Sequence, residues 1–178
     1  MTKVKVIRVI LSIILASLTL GLVITGCSGG SSGGSSTTAI VGKKAPDFTL
    51  QDLDGQSVSL SDFEGKPVLI NFWNSGCSPC RKEMPFLQEI YDEIPDSELV
   101  MLTINIGESS ATVKKFLGDN NLSLPVLLDT NAAVAQRYSI QGIPTTFFVD
   151  RDSILQVKVI GAFPNKAAIE SRLSEIMP

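Results

Sequence analysis

The sequence predicts an α/β fold in which a mixed sheet lies between helices. Three observations carry this expectation. Apolar runs of strand length alternate with segments whose apolar residues recur at helical spacing. One run, Pro67–Trp73 (P-V-L-I-N-F-W), is apolar but for a single Asn, as in a central strand covered on both faces. The last two runs, Thr145–Asp150 and Ile154–Ile160, are separated only by R-D-S. That spacing indicates a hairpin, so the sheet is mixed rather than all parallel.

The elements follow in order. Phe48–Leu60 reads as two short strands around Asp54-Gly55, a common hairpin turn. After the strand Pro67–Trp73, a helix is expected to start near Cys77 and end before Pro95, kinked at Pro85, which has no N–H to offer Arg81. Leu99–Ile106 is a second buried strand. Ser109–Asn120 carries Val113, Phe116 and Leu117 at helical spacing behind capping serines. Pro125–Asp129 is a short strand and Ala132–Tyr138 a short helix. After the hairpin, Asn165 can cap a last helix with Ile169, Leu173 and Ile176 along one face.

The start of the chain is of a different kind. Lys3, Lys5 and Arg8 precede an apolar run from Val9 to Ile24, and no acid occurs before Asp47. This pattern reads as an export signal, and an uncleaved membrane anchor is the alternative. Ile24-Thr25-Gly26-Cys27 resembles a bacterial lipobox, in which the cysteine becomes the lipidated N-terminus. A Gly/Ser run then behaves as a flexible tether. The expected organisation is a lipoprotein signal peptide over 1–26, a lipidated Cys27 with tether over 27–40, and a folded domain over 41–178. This places the domain outside the cytoplasm, with the outer face of the cytoplasmic membrane as the expected site. Without the leader, twelve basic residues face eighteen acidic ones, a net of −6. Such a domain is a poor binder of nucleic acid or of an anionic membrane surface.

With Cys27 assigned to the lipid, Cys77 and Cys80 remain, in the stretch N-F-W-N-S-G-C-S-P-C-R-K-E-M-P. A disulfide across so short a loop constrains the unfolded chain very little, which disfavours a structural brace. The chain has no histidine. A zinc site would then need carboxylates beside the two thiolates, and a Cys-His or Ser-His pair cannot form. No metal and no cofactor is expected. Thiol–disulfide exchange is the remaining use.

At the end of strand Pro67–Trp73, Cys77 would face the free N–H groups and positive dipole end of the next helix, which favour thiolate. Cys80, one turn on, would be the more protected resolving thiol. Glu83 follows three residues later on the same face and is a candidate for proton transfer at Cys80. Its plain alternative is a solvated first-turn carboxylate. Arg81 and Lys82 read as solvated positive charges. Trp73 reads first as core, with substrate contact as the alternative.

Three segments together resemble the TlpA/ResA-like thioredoxin-fold proteins, and the likeness spans Val41 to about Met177. The segments are G-K-K-A-P-D-F-T-L-Q-D-L-D-G-Q-S-V-S-L-S-D-F-E-G-K-P-V-L-I-N-F-W, C-S-P-C-R-K-E-M-P and G-I-P-T-T-F-F-V-D. The resemblance implies a thioredoxin fold with an N-terminal hairpin and an extra element before strand Pro125–Asp129. It implies that Cys77 attacks and Cys80 resolves. It implies that Pro144 is cis beside the disulfide, with the Ile143 backbone pairing to the substrate, and that Glu83 lies by the active-site cavity. Ile143 and Pro144 are thus candidate substrate-binding residues, and Trp73 is carried beside them on the alternative reading of its position. The family's activity implies a protein-disulfide reductase, with apocytochrome c as the best-known substrate and a membrane thiol-relay protein as electron donor.

Two positions depart from cytosolic thioredoxins. Asn71 stands where they bury an Asp, so Glu83 or water must accept the proton, and Gly76 stands where they carry Trp. Two other functions compete. Peroxiredoxins share the A-P-D-F-T-L opening, but their Thr three residues before the reactive Cys is Asn74 here, or Cys77 when counted from Cys80. A non-catalytic lipoprotein module is the third reading, and the intact C-x-x-C with Pro79 and Ile143-Pro144 argues against it.

Overall fold

A computed structural model describes residues 38–177. The expected signal peptide, Cys27 and most of the expected tether lie outside the described residues. Among the described residues the strands are β1 (Thr49–Asp52), β2 (Ser57–Ser59), β3 (Val68–Trp73), β4 (Val100–Ile106), β5 (Val126–Asp129), β6 (Thr145–Val149) and β7 (Leu155–Ile160). The helices are α1 (Ser78–Glu93), α2 (Ser110–Asp119), α3 (Ala133–Arg137) and α4 (Lys166–Leu173). The strands form one sheet in the order β2-β1-β5-β4-β3-β6-β7. β4 runs parallel to β3 and β5, and the other pairs are antiparallel, so the sheet is mixed as expected.

The run P-V-L-I-N-F-W is buried on both faces because each face is covered by a different layer. Leu69 and Trp73 pack against α1, α2 and α4, through Cys80, Met84, Leu87, Val113, Ile169 and Leu173. Val68, Ile70 and Phe72 point the other way, onto Phe48, Leu60, Val134, Ala135 and Tyr138. The expected caps are in place. Ser109 accepts the N–H of Thr112 and Asn165 that of Ala168, each filling a donor the helix start leaves open.

As expected, α1 runs through Pro85 and ends before Pro95, at Glu93. One expectation is refined. α4 ends at Leu173, and Ile176 packs into the core from the turn that follows.

Candidate active site

The site forms where β3 hands over to α1. The chain leaves the sheet at Trp73, and the loop Asn74–Gly76 is tied down on both sides. Asn74 Nδ2 donates to the Ile106 carbonyl, and Asn74 Oδ1 accepts the N–H of Gly76. A β-carbon at position 76 would lie 3.1 Å from that oxygen, close enough that Asn74 would have to shift slightly. The Ser75 N–H and hydroxyl both donate to Glu108, as does Asn105 Nδ2. Burial by itself would raise the Glu108 carboxyl, but these three bonds outweigh it and hold the pKa below its ordinary value. Sequence reasoning missed this clamp. The available signal was topological, since Glu108 follows the carboxyl end of a central parallel strand, where α/β sheets place their sites.

Cys77 caps α1 and Cys80 lies in its first turn, joined to it by a disulfide with Cα atoms 5.3 Å apart. The Cys77 sulfur accepts the Cys80 N–H at 3.2 Å, so the helix start directs a donor at it. The same sulfur lies 3.6 Å from the Ile143 carbonyl oxygen, and the Ile143–Pro144 bond is cis. The two sulfurs differ in access. Cys77 is partly exposed, whereas Cys80 is 0% exposed. An incoming disulfide therefore meets Cys77 first.

Glu83 is 0% exposed, so it is not the solvated first-turn carboxylate weighed as the alternative. One carboxyl oxygen accepts from Asn71 Nδ2 on β3 at 2.9 Å. The other accepts the N–H of Phe163, from the segment before α4, at 2.9 Å. Burial dominates and raises the carboxyl pKa from 4.5 to about 7, although the Phe163 and Asn71 bonds pull it down. Asn71 therefore does more than stand in for a missing Asp, since its amide is the donor that holds Glu83. Its other N–H goes to Thr146 Oγ1 at 2.9 Å. A lone Asn in an otherwise apolar buried run was the sign that such a partner had to exist.

Trp73, carried as a substrate-binding candidate, is 0% exposed and stacks at a tilt against Phe116, with ring centroids 5.3 Å apart. It has no surface to offer a substrate and belongs to the core. Arg81 and Lys82 are exposed, the Arg81 guanidinium lying 6.0 Å from the Phe116 ring centroid. The structure thus brings Cys77, Cys80, Ile143 and Pro144 together, with Cys77 and Ile143 partly exposed, Cys80 and Pro144 buried, and Glu83 buried one turn further along α1. Among the described residues, no group of three or more Cys, Asp or Glu is arranged to hold a metal ion.

Residues 41–158 match the model of the AhpC/TSA family. The thiol-disulfide oxidoreductase ResA of Geobacillus kaustophilus is 37% identical over 142 residues, covering 80% of this chain and 81% of that protein. ResA of Bacillus subtilis is 34% identical over 137 residues, covering 77% and 76%. Among solved structures, a putative thiol:disulfide interchange protein DsbE from Chlorobium tepidum superposes with a TM-score of 0.70 at 29% identity. It covers 77% of this chain and 97% of that one. An exposed lipoprotein thioredoxin of Streptococcus pneumoniae gives a TM-score of 0.62 at 34% identity, covering 72% and 98%.

Proposed function

The chain belongs to the AhpC/TSA family, among its ResA/TlpA-like thiol–disulfide oxidoreductases, and on that premise we propose that it reduces protein disulfides outside the cytoplasm while tethered to a membrane. The observation that carries the mechanism is the unequal access of the two sulfurs, Cys77 partly exposed and Cys80 fully buried.

In the reduced protein, the Cys77 thiolate attacks one sulfur of a substrate disulfide. A Cys77–substrate bond forms, the substrate S–S bond breaks, and one substrate thiolate leaves. The Glu83 carboxylate takes the proton of the Cys80 thiol. The Cys80 thiolate then attacks the Cys77 sulfur and releases the second substrate thiolate. Two electrons have moved to the substrate and the Cys77–Cys80 disulfide remains. Ile143, next to the cis bond and in contact with the Cys77 sulfur, offers backbone groups for the substrate chain to pair with. In an oxidising compartment the pair must be recharged, and a membrane thiol-relay protein is the electron donor this requires.

Apocytochrome c is the substrate of choice, because its haem-binding cysteines must be kept reduced in such a compartment. The tether rests on Cys27 after the apolar leader and before the Gly/Ser run. A pneumococcal relative being an exposed lipoprotein supports the same placement.

The reading is tested with an oxidised apocytochrome c peptide, dithiothreitol-reduced protein and a peroxide control. Peptide reduction is the expected result. Rapid peroxide consumption with the peptide left oxidised favours the peroxidase reading. Cys80→Ser is expected to accumulate a mixed disulfide through Cys77, and accumulation through Cys80 in Cys77→Ser would reverse the two roles.

A further inference from the structure

The residues that lead into Cys77 have already spent their backbone donors. The Ser75 N–H goes to Glu108 Oε2 at 2.8 Å, the Gly76 N–H to Asn74 Oδ1 at 2.8 Å and the Cys77 N–H to the Asn74 carbonyl at 3.1 Å. Pro79, inside the first turn of α1, has no N–H to give. The donor that the sulfur does have is the Cys80 N–H at 3.2 Å, and on its other side it meets the Ile143 carbonyl oxygen, which offers only lone pairs. Successive backbone N–H groups in a turn form a concave anion site when they are left open. In this loop they are closed before a thiolate can use them.

Glu108 is the member of this arrangement that carries a charge. Gly107, at φ 77°, turns the chain out of β4 and sets Glu108 beside the loop. Its Oε1 accepts the Ser75 hydroxyl, its Oε2 accepts the Ser75 and Asn105 N–H groups, and together they hold it ionised. Two residues of chain span at most about 7 Å, so a negative charge lies within about 10 Å of the Cys77 backbone. We propose that Glu108, acting through Ser75, restrains the ionisation of Cys77: it occupies a donor that the thiolate would use and sets a negative charge near the positive end of α1. A less stabilised thiolate makes the dithiol form less favoured and the pair a stronger reductant. This rests on the reading of the protein as a disulfide reductase and names a residue that favours that direction.

The other segments beside Cys77 add no acid of this kind. The cis-proline segment 141–146 contains no charged residue. Neither does the segment 161–164, which joins it through the Gly161 N–H on the Pro144 carbonyl. On α1, Arg81 and Lys82 are exposed and positive, with the Arg81 guanidinium 6.0 Å from the Phe116 ring centroid, and Glu83 is buried one turn beyond Cys80. The helix start and the two cations favour a thiolate, and Glu108 is the charge that opposes them. At about 10 Å, with water reaching a partly exposed carboxylate, that opposition amounts to about half a pH unit on the Cys77 thiol.

The test follows alkylation of Cys77 by iodoacetamide in the reduced full chain as a function of pH, with the modified residue identified by mass spectrometry. Glu108→Gln removes the charge and keeps the shape. Its profile is expected to shift to lower pH, with alkylation at pH 7 about three-fold faster. The gap is expected to shrink in about 1 M salt, because salt screens a partly exposed charge. Ser75→Ala deletes one bond to Glu108 and keeps the charge, so its profile is expected to move by less. The thiol–disulfide equilibrium with dithiothreitol at pH 9 is expected to move toward the reduced protein in Glu108→Gln. If Glu108→Gln does not fold, Glu108→Ala takes its place. An unmoved profile or equilibrium, a shift just as large in Ser75→Ala, or a gap indifferent to salt overturns the proposal. A shifted profile, in a protein whose wild type leaves disulfide peptides unreduced, sinks the reductase reading and leaves the effect of Glu108 on Cys77 standing.

Discussion

On one face of the sheet Glu83 is buried beside Asn71, and on the other Tyr138 is buried among Phe48, Phe72 and Phe147, with ring centroids 5.2 to 5.9 Å away. Burial raises both acids, but from different starting points. The Glu83 carboxyl moves from 4.5 to about 7 and lands in the range where proteins work. The Tyr138 phenol, raised by burial and by the charge of Asp47, leaves that range and stays a neutral donor to the Pro46 carbonyl at 2.7 Å. Burial thus brings one acid near neutrality, as the proposed proton transfer needs, and keeps the other a neutral donor within the core. The cysteines stand on the first of these faces, where Cys80 shares a core with Trp73, Met84 and Phe163.

Three substitutions probe this difference, in falling order of expected effect. Cys77→Ser removes the accessible sulfur, and disulfide reduction is expected to fall by more than about a thousand-fold with the fold intact. A peptide-reduction assay beside a circular dichroism melt checks both halves of that statement.

Glu83→Gln removes the titrating group, and the effect is expected in stability as a function of pH. A carboxyl with a raised folded pKa binds its proton more tightly in the native state. Its full stability is present below the unfolded value of 4.5 and is lost as pH rises through about 7. That rise corresponds to about 3 kcal/mol at about 1.4 kcal/mol per pH unit. Between pH 4.5 and 8, urea unfolding of the variant relative to the wild type is expected to shift by about that amount in the variant's favour. Parallel curves would mean that folding leaves the Glu83 pKa near its unfolded value of 4.5.

Tyr138→Phe is expected to have the smallest effect. It leaves the buried Pro46 carbonyl without its donor and costs about 1–2 kcal/mol in urea unfolding. Disulfide reduction and its pH profile are expected to stay unchanged, because this face takes no part in the chemistry. A changed pH profile would break the division between the two faces.

Much of this arrangement was readable in the residues. The order of strands and helices followed from short apolar runs alternating with helical spacing, and from the caps Ser109 and Asn165. Cys77 and Cys80 could be read from their spacing at the start of a helix, whereas Ile143 and Pro144 were joined to them only by the resemblance to TlpA/ResA-like proteins. What could not be read were contacts between distant segments. Whether Glu83 meets water or protein depends on the Phe163 segment, eighty residues away, folding back over α1. The Ser75–Glu108 clamp spans 33 residues and has no local signature. Asn71 was visible as a departure from cytosolic thioredoxins, yet its role depends on which helix face covers it. Trp73 could be read as core or as contact, and only the packing of α2 over it decides for the core.

The central claim is that the buried Glu83 takes the proton that frees Cys80 to attack. It is tested most directly by the rate at which a preformed Cys77–substrate mixed disulfide resolves, followed by stopped flow from pH 5 to 9. The account predicts that resolution accelerates through an inflection near pH 7 in the wild type and that this inflection is absent in Glu83→Gln. Superimposable profiles for the two proteins would contradict it.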